Sequence, residues 1–255
     1  MITLAELERL YARYNKASYI DPDPLLFLHR YPRVEDREIV GLIAAGLAFG
    51  RVKQICASVE RVLEPMAASP RAFLENTSPA KVAQLFSGFR HRYVSGRHLT
   101  ELLAGIRGLL VEHGSLDTAF GAGLAAGDRT VLPALTRFVD RLNCPGNPLT
   151  ASPAKGSACK RLHLYLRWMV RRDEVDPGGW QSVSPGQLVI PLDTHMARLS
   201  RELRFTRRRS PGGAMALDVT AWFRRRIPED PVKFDFTLTR FGIRSELRHV
   251  RPQHG

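Results

Sequence analysis

The sequence predicts an all-α protein, and three observations predict it. Apolar residues recur at the helical period through most of the chain. Only Val183 and Leu188-Val189-Ile190 have strand character, and that stretch is too short to found a sheet. The clearest breaks, Asp21-Pro22-Asp23-Pro24 and Cys144-Pro145-Gly146-Asn147-Pro148, separate segments of helix length.

Taken in order, Leu4, Leu7, Leu10, Tyr11 and Tyr14 mark a first amphipathic helix. Glu35 and Asp36 open a strongly apolar second helix, whose small residues (Gly41, Ala44, Ala45, Gly46) suit close packing. Gly50 interrupts it, and Ile55, Val59, Val62 and Leu63 resume the period. Residues 66–80 hold turns and a short helix. Helices follow at about 97–112, 115–121, 128–142, 157–171, 194–203, 212–226 and 230–242. Ser157 and Asp230 are candidate N-caps, with Pro231 at the first position of the last helix.

Lys and Arg total 38 against 25 Asp and Glu, a formal charge of +13. The excess is mostly arginine, whose fork matches phosphate oxygens, so nucleic acid leads the partner classes. Three cysteines, Cys56, Cys144 and Cys159, form no CxxC pair. That excludes a zinc knuckle and a four-cysteine iron–sulfur cluster, and it fits a reducing compartment. The acidic N-terminal stretch is not a signal peptide. The longest apolar run, 40–49, is about half the ~20 residues a membrane span needs. The expectation is a cytoplasmic, nucleoid-associated monomer with no membrane contact.

The chemistry concentrates in residues 155–203. Lys155-Gly156-Ser157 reads as a turn, and Lys160 falls in the first turn of the helix that follows. The positive end of a helix disfavours a protonated amine, and Lys155 and Arg161 push the same way. A lysine depressed towards neutrality can act as a nucleophile. Beyond a Gly/Pro-rich loop, Pro191-Leu192-Asp193-Thr194-His195 places an aspartate at the start of the next helix. Asp193 suits an N-cap, and its remaining carboxylate face suits a developing sugar cation. His195 and Asp193 with His163 are a weaker metal alternative, and no metal is expected.

This segment resembles the helix-hairpin-helix Gly/Pro-Asp superfamily of base-excision DNA glycosylases, nearest its archaeal 8-oxoguanine glycosylase branch. There a hairpin lysine is followed by a Gly/Pro-rich loop and a Pro-Val-Asp-Thr-His type sequence, which 191–195 matches with one change. Gly88-Phe89-Arg90-His91-Arg92-Tyr93 resembles a turn found before a helix in the oxoguanine glycosylases. The full chain also resembles an uncharacterised bacterial family. The usual hairpin, Leu-Pro-Gly-Val-Gly, is absent: Ser157-Ala158-Cys159 follows a single Gly156.

The resemblance implies one domain of two helical lobes with a cleft between them, roughly 1–30 plus 145–255 and 31–144. It implies a DNA glycosylase with AP lyase activity on a damaged base, such as an oxidised purine. Lys160 would be the Schiff-base nucleophile and Asp193 its electrostatic partner, without a cofactor. Lys155, Gly156, Ser157, Arg161, Arg90, Arg92, Arg207 and Arg208 are candidate contacts to DNA or RNA. Trp180, Phe49 and His195 are candidate pocket residues. The alternatives are a non-catalytic DNA- or RNA-binding module on the same fold, and a metal-dependent nuclease.

Overall fold

Thr3 and Glu6 close a capping box on the first helix, α1 (Leu4–Tyr14). A computed structural model describes residues 2–240. Two 3-10 turns, Ala17–Tyr19 and Pro24–Arg30, carry the chain into α2 (Val34–Gly46). From residue 39 to 46 every α2 residue is buried, so this helix is central rather than amphipathic. Its small residues let neighbours approach. A Cβ at Gly41 would stand 3.2 Å from the Tyr165 ring and 3.3 Å from Leu28.

Around it lie α3 (Val52–Leu63), α4 (Pro70–Asn76) and α5 (Pro79–Leu85). Ser69 and Ser78 cap the last two, each with proline at the first position. A two-residue antiparallel hairpin, β1 (Arg90–His91) with β2 (Val94–Ser95), leads into α6 (Gly96–His113). Then come α7 (Leu116–Gly121), α8 (Leu132–Arg141) and a 3-10 turn at Pro153–Lys155. The chain continues with α9 (Lys160–Val170), α10 (Thr194–Glu202), α11 (Gly213–Arg224) and α12 (Asp235–Thr239). Among the described residues that hairpin is the only sheet, so the all-α class holds. No helix of the described residues is long and apolar enough to cross a membrane.

One stretch forms no sheet, as its length predicts, and three local expectations are corrected. Val183 lies in a bend, and residues 188–190 belong to no strand. The Ile190 amide donates to Thr220 Oγ1 at 3.0 Å, and Arg224 Nη2 donates to the Leu188 carbonyl at 3.3 Å. The helix expected from 157 starts at Lys160, because Cys159 adopts φ 44°. Ser157 therefore caps nothing; its Oγ accepts from the Cys159 amide at 3.1 Å. Asp230 is not an N-cap either, since α12 begins at Asp235 and Arg171 Nε donates to Asp230 at 2.9 Å. Positions 241–242 of the helix expected over 230–242 lie outside the described residues.

The long segment between α9 and α10 is pinned despite having little regular structure. The Gly178 and Trp180 amides donate to the carbonyls of Trp168 and Met169 at 3.0 and 2.9 Å. Trp180 Nε1 donates to Glu38 at 3.0 Å, beside donors from Leu116 (2.9 Å) and Asp117 (3.1 Å). One buried carboxylate on α2 thus ties down the start of α7 and this segment. Anchored so, the chain returns from the far end of α9 and brings Asp193 into the wall of a cavity that Lys160 also lines.

Candidate functional site

A cavity of about 190 Å³ has Lys160 and Asp193 in its wall, with Trp168, Asp235, Arg167 and Arg240. The left-handed turn at Cys159 makes Lys160 the first residue of α9. Its amine makes no hydrogen bond or ion pair among the described residues. Burial pushes the Lys160 pKa down; Asp193, Asp23 and Asp235 push it back up, and Arg167 adds to the fall. The helix N-terminus acts in the same direction as burial. Asp193 caps α10 by accepting from the Met196 amide at 2.7 Å. One carboxylate oxygen therefore holds the helix, and the residue still contributes to the cavity wall.

Beneath the cavity lies a buried ion network. Arg167 on α9 and Arg171, the residue just past its end, face four aspartates. Arg167 pairs with Asp235 and, at 3.1 Å, with Asp176. Arg171 pairs with Asp176, and at 2.9 Å with both Asp173 and Asp230. Tyr11 donates its hydroxyl to Asp173 at 2.9 Å. Burial raises the Asp235 pKa to about 6; Arg167 opposes this, while Asp193 and Asp176 add to it. Two carboxylates of one cavity thus sit in different environments, Asp193 on a helix N-terminus and Asp235 in the protein interior.

Other predicted site residues are placed less centrally. Trp180 is core, not an exposed pocket aromatic: it is 3% exposed and stacks edge-on against Tyr165. Phe49 lies outside the cavity wall, although its neighbour Ala48 belongs to it. Its ring stacks on the exposed Tyr93 at 4.9 Å, with the Arg161 guanidinium 4.9 Å from its centroid. Arg161 braces backbone instead of reaching outward, donating to the carbonyls of Gly46 and Pro148 at 2.6 Å each. His195 sits on α10 beside Arg198, 3.3 Å from its Nη2. His163 is buried outside the cavity wall. Among the described residues no group of His, Cys, Asp and Glu is gathered as a metal would need.

Lys155, Gly156 and Ser157 are exposed. Gly156 takes φ 72°, and its carbonyl accepts from the Gly213 amide at 3.3 Å at the start of α11. Arg90 and Arg92 are exposed on the β1–β2 hairpin, and Arg207 and Arg208 on the loop after α10. Arg208 is paired with Asp218 at 2.8 Å. Asp235, Arg167 and Trp168 escaped the sequence reading as site residues. The available signal was an acid between two aromatics, Phe234-Asp235-Phe236, and an arginine pair at helical spacing inside an apolar stripe.

Residues 23–244 match the family model described as Protein of unknown function (DUF2400), and the chain belongs to that family. This corrects the assignment suggested by 191–195, because no helix-hairpin-helix Gly/Pro-Asp glycosylase family is matched. Neither the curated proteins nor the solved structures give a match.

Proposed function

We propose that this member of the family is a DNA N-glycosylase with associated lyase activity, acting through Lys160. The observation that carries the reading is the Lys160–Asp193 juxtaposition. Two residues from distant segments wall one cavity, and the amine has no partner among the described residues and is pushed towards neutrality by burial. The cavity compares with the ~150 Å³ that accepts a benzene-sized ring, so a single extruded base suits it. The formal charge of +13 favours a polyanionic partner. The wall draws on Ala48, Val52 and Ile55 as well as Asp23 and residues 160–240. That supports a cleft between lobes divided as 1–30 plus 145–255 and 31–144.

In the reaction, Lys160 Nζ attacks the glycosidic carbon of an extruded nucleotide. The carbon–nitrogen bond to the base breaks and the base departs with the electron pair, taking up a proton. Nζ gives up a proton, the bond from that carbon to the ring oxygen breaks with the oxygen taking up a proton, and a protonated Schiff base remains. Removal of a proton from the adjacent sugar carbon then expels the 3′ phosphate. Asp193 stabilises the cationic sugar and receives the Nζ proton.

Borohydride reduces the Schiff base to a stable amine, so trapping on duplexes carrying an abasic site or an oxidised base tests the reading. A covalent adduct is expected from the wild-type chain and none from Lys160→Gln. No adduct across such substrates, or one undiminished in Lys160→Gln, overturns it.

A further inference from the structure

Two residues of the cavity wall carry buried polar atoms that have no part in the chemistry above. Trp168 is 1% exposed, and its Nε1 has no hydrogen-bond partner among the described residues. Asp235 is also 1% exposed; Arg167 holds its Oδ2, while Oδ1 is unpartnered. Of the residues with such orphaned atoms, only these two contribute to this wall. Buried polar atoms are nearly always hydrogen-bonded, so an orphaned donor and an orphaned acceptor on two residues that line one cavity ask for a common explanation.

The rest of the wall defines the shape of an answer. Pro24, Ala48, Leu164, Pro191 and Phe236 contribute apolar surface, suited to the faces of a flat ring. Asp23 and Arg240 face the same space but are paired with each other at 2.8 Å. Beyond Lys160 and Asp193, what remains is apolar wall and two lining residues that carry one unpartnered N–H donor and one unpartnered carboxylate acceptor. A heteroaromatic ring that carries an N–H and a lone-pair acceptor complements that set.

The geometry points to Asp235 and Trp168 as the pair that reads the extruded nucleobase. Asp235 Oδ1 accepts from a ring or exocyclic N–H of the base, and Trp168 Nε1 donates to a ring nitrogen or carbonyl oxygen. The substrate class is then a duplex with a base bearing both groups, and an abasic sugar lacks what they read. Arg167 holds Asp235 in place and is a positioning residue. The inference rests on the Lys160 reading of the cavity, yet it concerns recognition and not bond breaking.

The experiment compares affinity for a duplex carrying one modified base, from a panel of oxidised purines and pyrimidines, with affinity for the same duplex carrying a tetrahydrofuran abasic analogue. The full-length wild-type chain is expected to prefer at least one base-bearing duplex. Trp168→Phe keeps an aromatic ring and removes the donor. It should cut that preference about tenfold, with affinity for the analogue unchanged within about twofold. In Asp235→Asn the amide oxygen turns to Arg167 and its NH2 faces the base. The preference should then move to bases with an acceptor at that point. No wild-type preference for any base, or equal losses on both duplexes in Trp168→Phe, overturns the inference. An adduct on abasic DNA without base preference defeats this inference alone. A Trp168-dependent preference without any adduct defeats the Lys160 chemistry alone.

Discussion

Asparagine caps a helix about as well as aspartate does, so Asp193→Asn separates the two tasks of that carboxylate. The bond from the Met196 amide, 2.7 Å in the native chain, survives through the amide oxygen. Thermal stability should therefore stay within about 0.5 kcal/mol of wild type. The negative charge beside the reacting carbon is lost, and the trapping rate should fall by about 10²-fold or more. A normal trapping rate in a normally folded variant would remove Asp193 from the chemistry. A second readout follows from sign. Burial lowers the Lys160 pKa and Asp193 raises it, so removing the charge lets the amine fall further. The acid limb of the trapping rate, which rises as the amine deprotonates, should move to lower pH in Asp193→Asn. Movement to higher pH would contradict the electrostatic link between the two residues.

At the scale of elements, α9 carries the proposed nucleophile Lys160 and the buried Arg167, and ends at the buried Arg171. Arg171 is one of two cations on Asp176, which is fully buried. Arg171→Met keeps most of the aliphatic stem and leaves Asp176, Asp173 and Asp230 short of a cation. Breaking a buried pair in this one-sided way costs about 3–5 kcal/mol, measurable as a lower denaturant midpoint. A loss under about 1 kcal/mol would mean that the remaining contacts satisfy the aspartates unaided. The stripe of Leu162, Tyr165, Leu166, Met169 and Val170 makes α9 itself legible in the sequence. Its first residue is not, because the left-handed backbone at Cys159 has no compositional signature. Trp180 follows two glycines and reads as loop aromatic, yet Glu38, distant in sequence, draws it into the core. Asp193 is legible because capping is local. Asp235 is not, because its role depends on Arg167 and on a cavity assembled from distant segments. Ser157 and Asp230 have capping side chains, but neither is followed at once by a helix.

Across the whole molecule, two kinds of charge follow different rules. Glu38 is fully buried, and burial raises its pKa to about 7 despite three N–H donors. From its ordinary 4.5 up to about 7, the folded chain holds a proton that the unfolded chain has released. Stability from this group is therefore full below pH 4.5 and falls as pH rises through that window, by roughly 3 kcal/mol. Glu38→Gln mimics the protonated form, so the advantage of wild type over this variant should shrink across the same window. His163, pushed down to about 4 by burial, acts in the opposite sense and cancels in the subtraction. A pH-independent gap would show that Glu38 keeps one charge state throughout. Surface charge is a separate matter, because much of the arginine excess is structural. Arg37, Arg137, Arg141, Arg161 and Arg224 donate to backbone carbonyls of other segments. The net charge of +13 thus overstates the arginines free to meet a phosphate backbone. Arg90 and Arg92, exposed on the hairpin, remain suited to that task. If each meets a phosphate, Arg90→Ala with Arg92→Ala should flatten the dependence of log affinity on log salt by about 0.9 per contact. Arg161→Ala should leave that slope unchanged and lower the melting temperature, because it strips donors from the Gly46 and Pro148 carbonyls. Titration of one duplex between about 50 and 200 mM salt distinguishes them, and a slope altered by Arg161→Ala alone would reverse the assignment of surface and structural arginines.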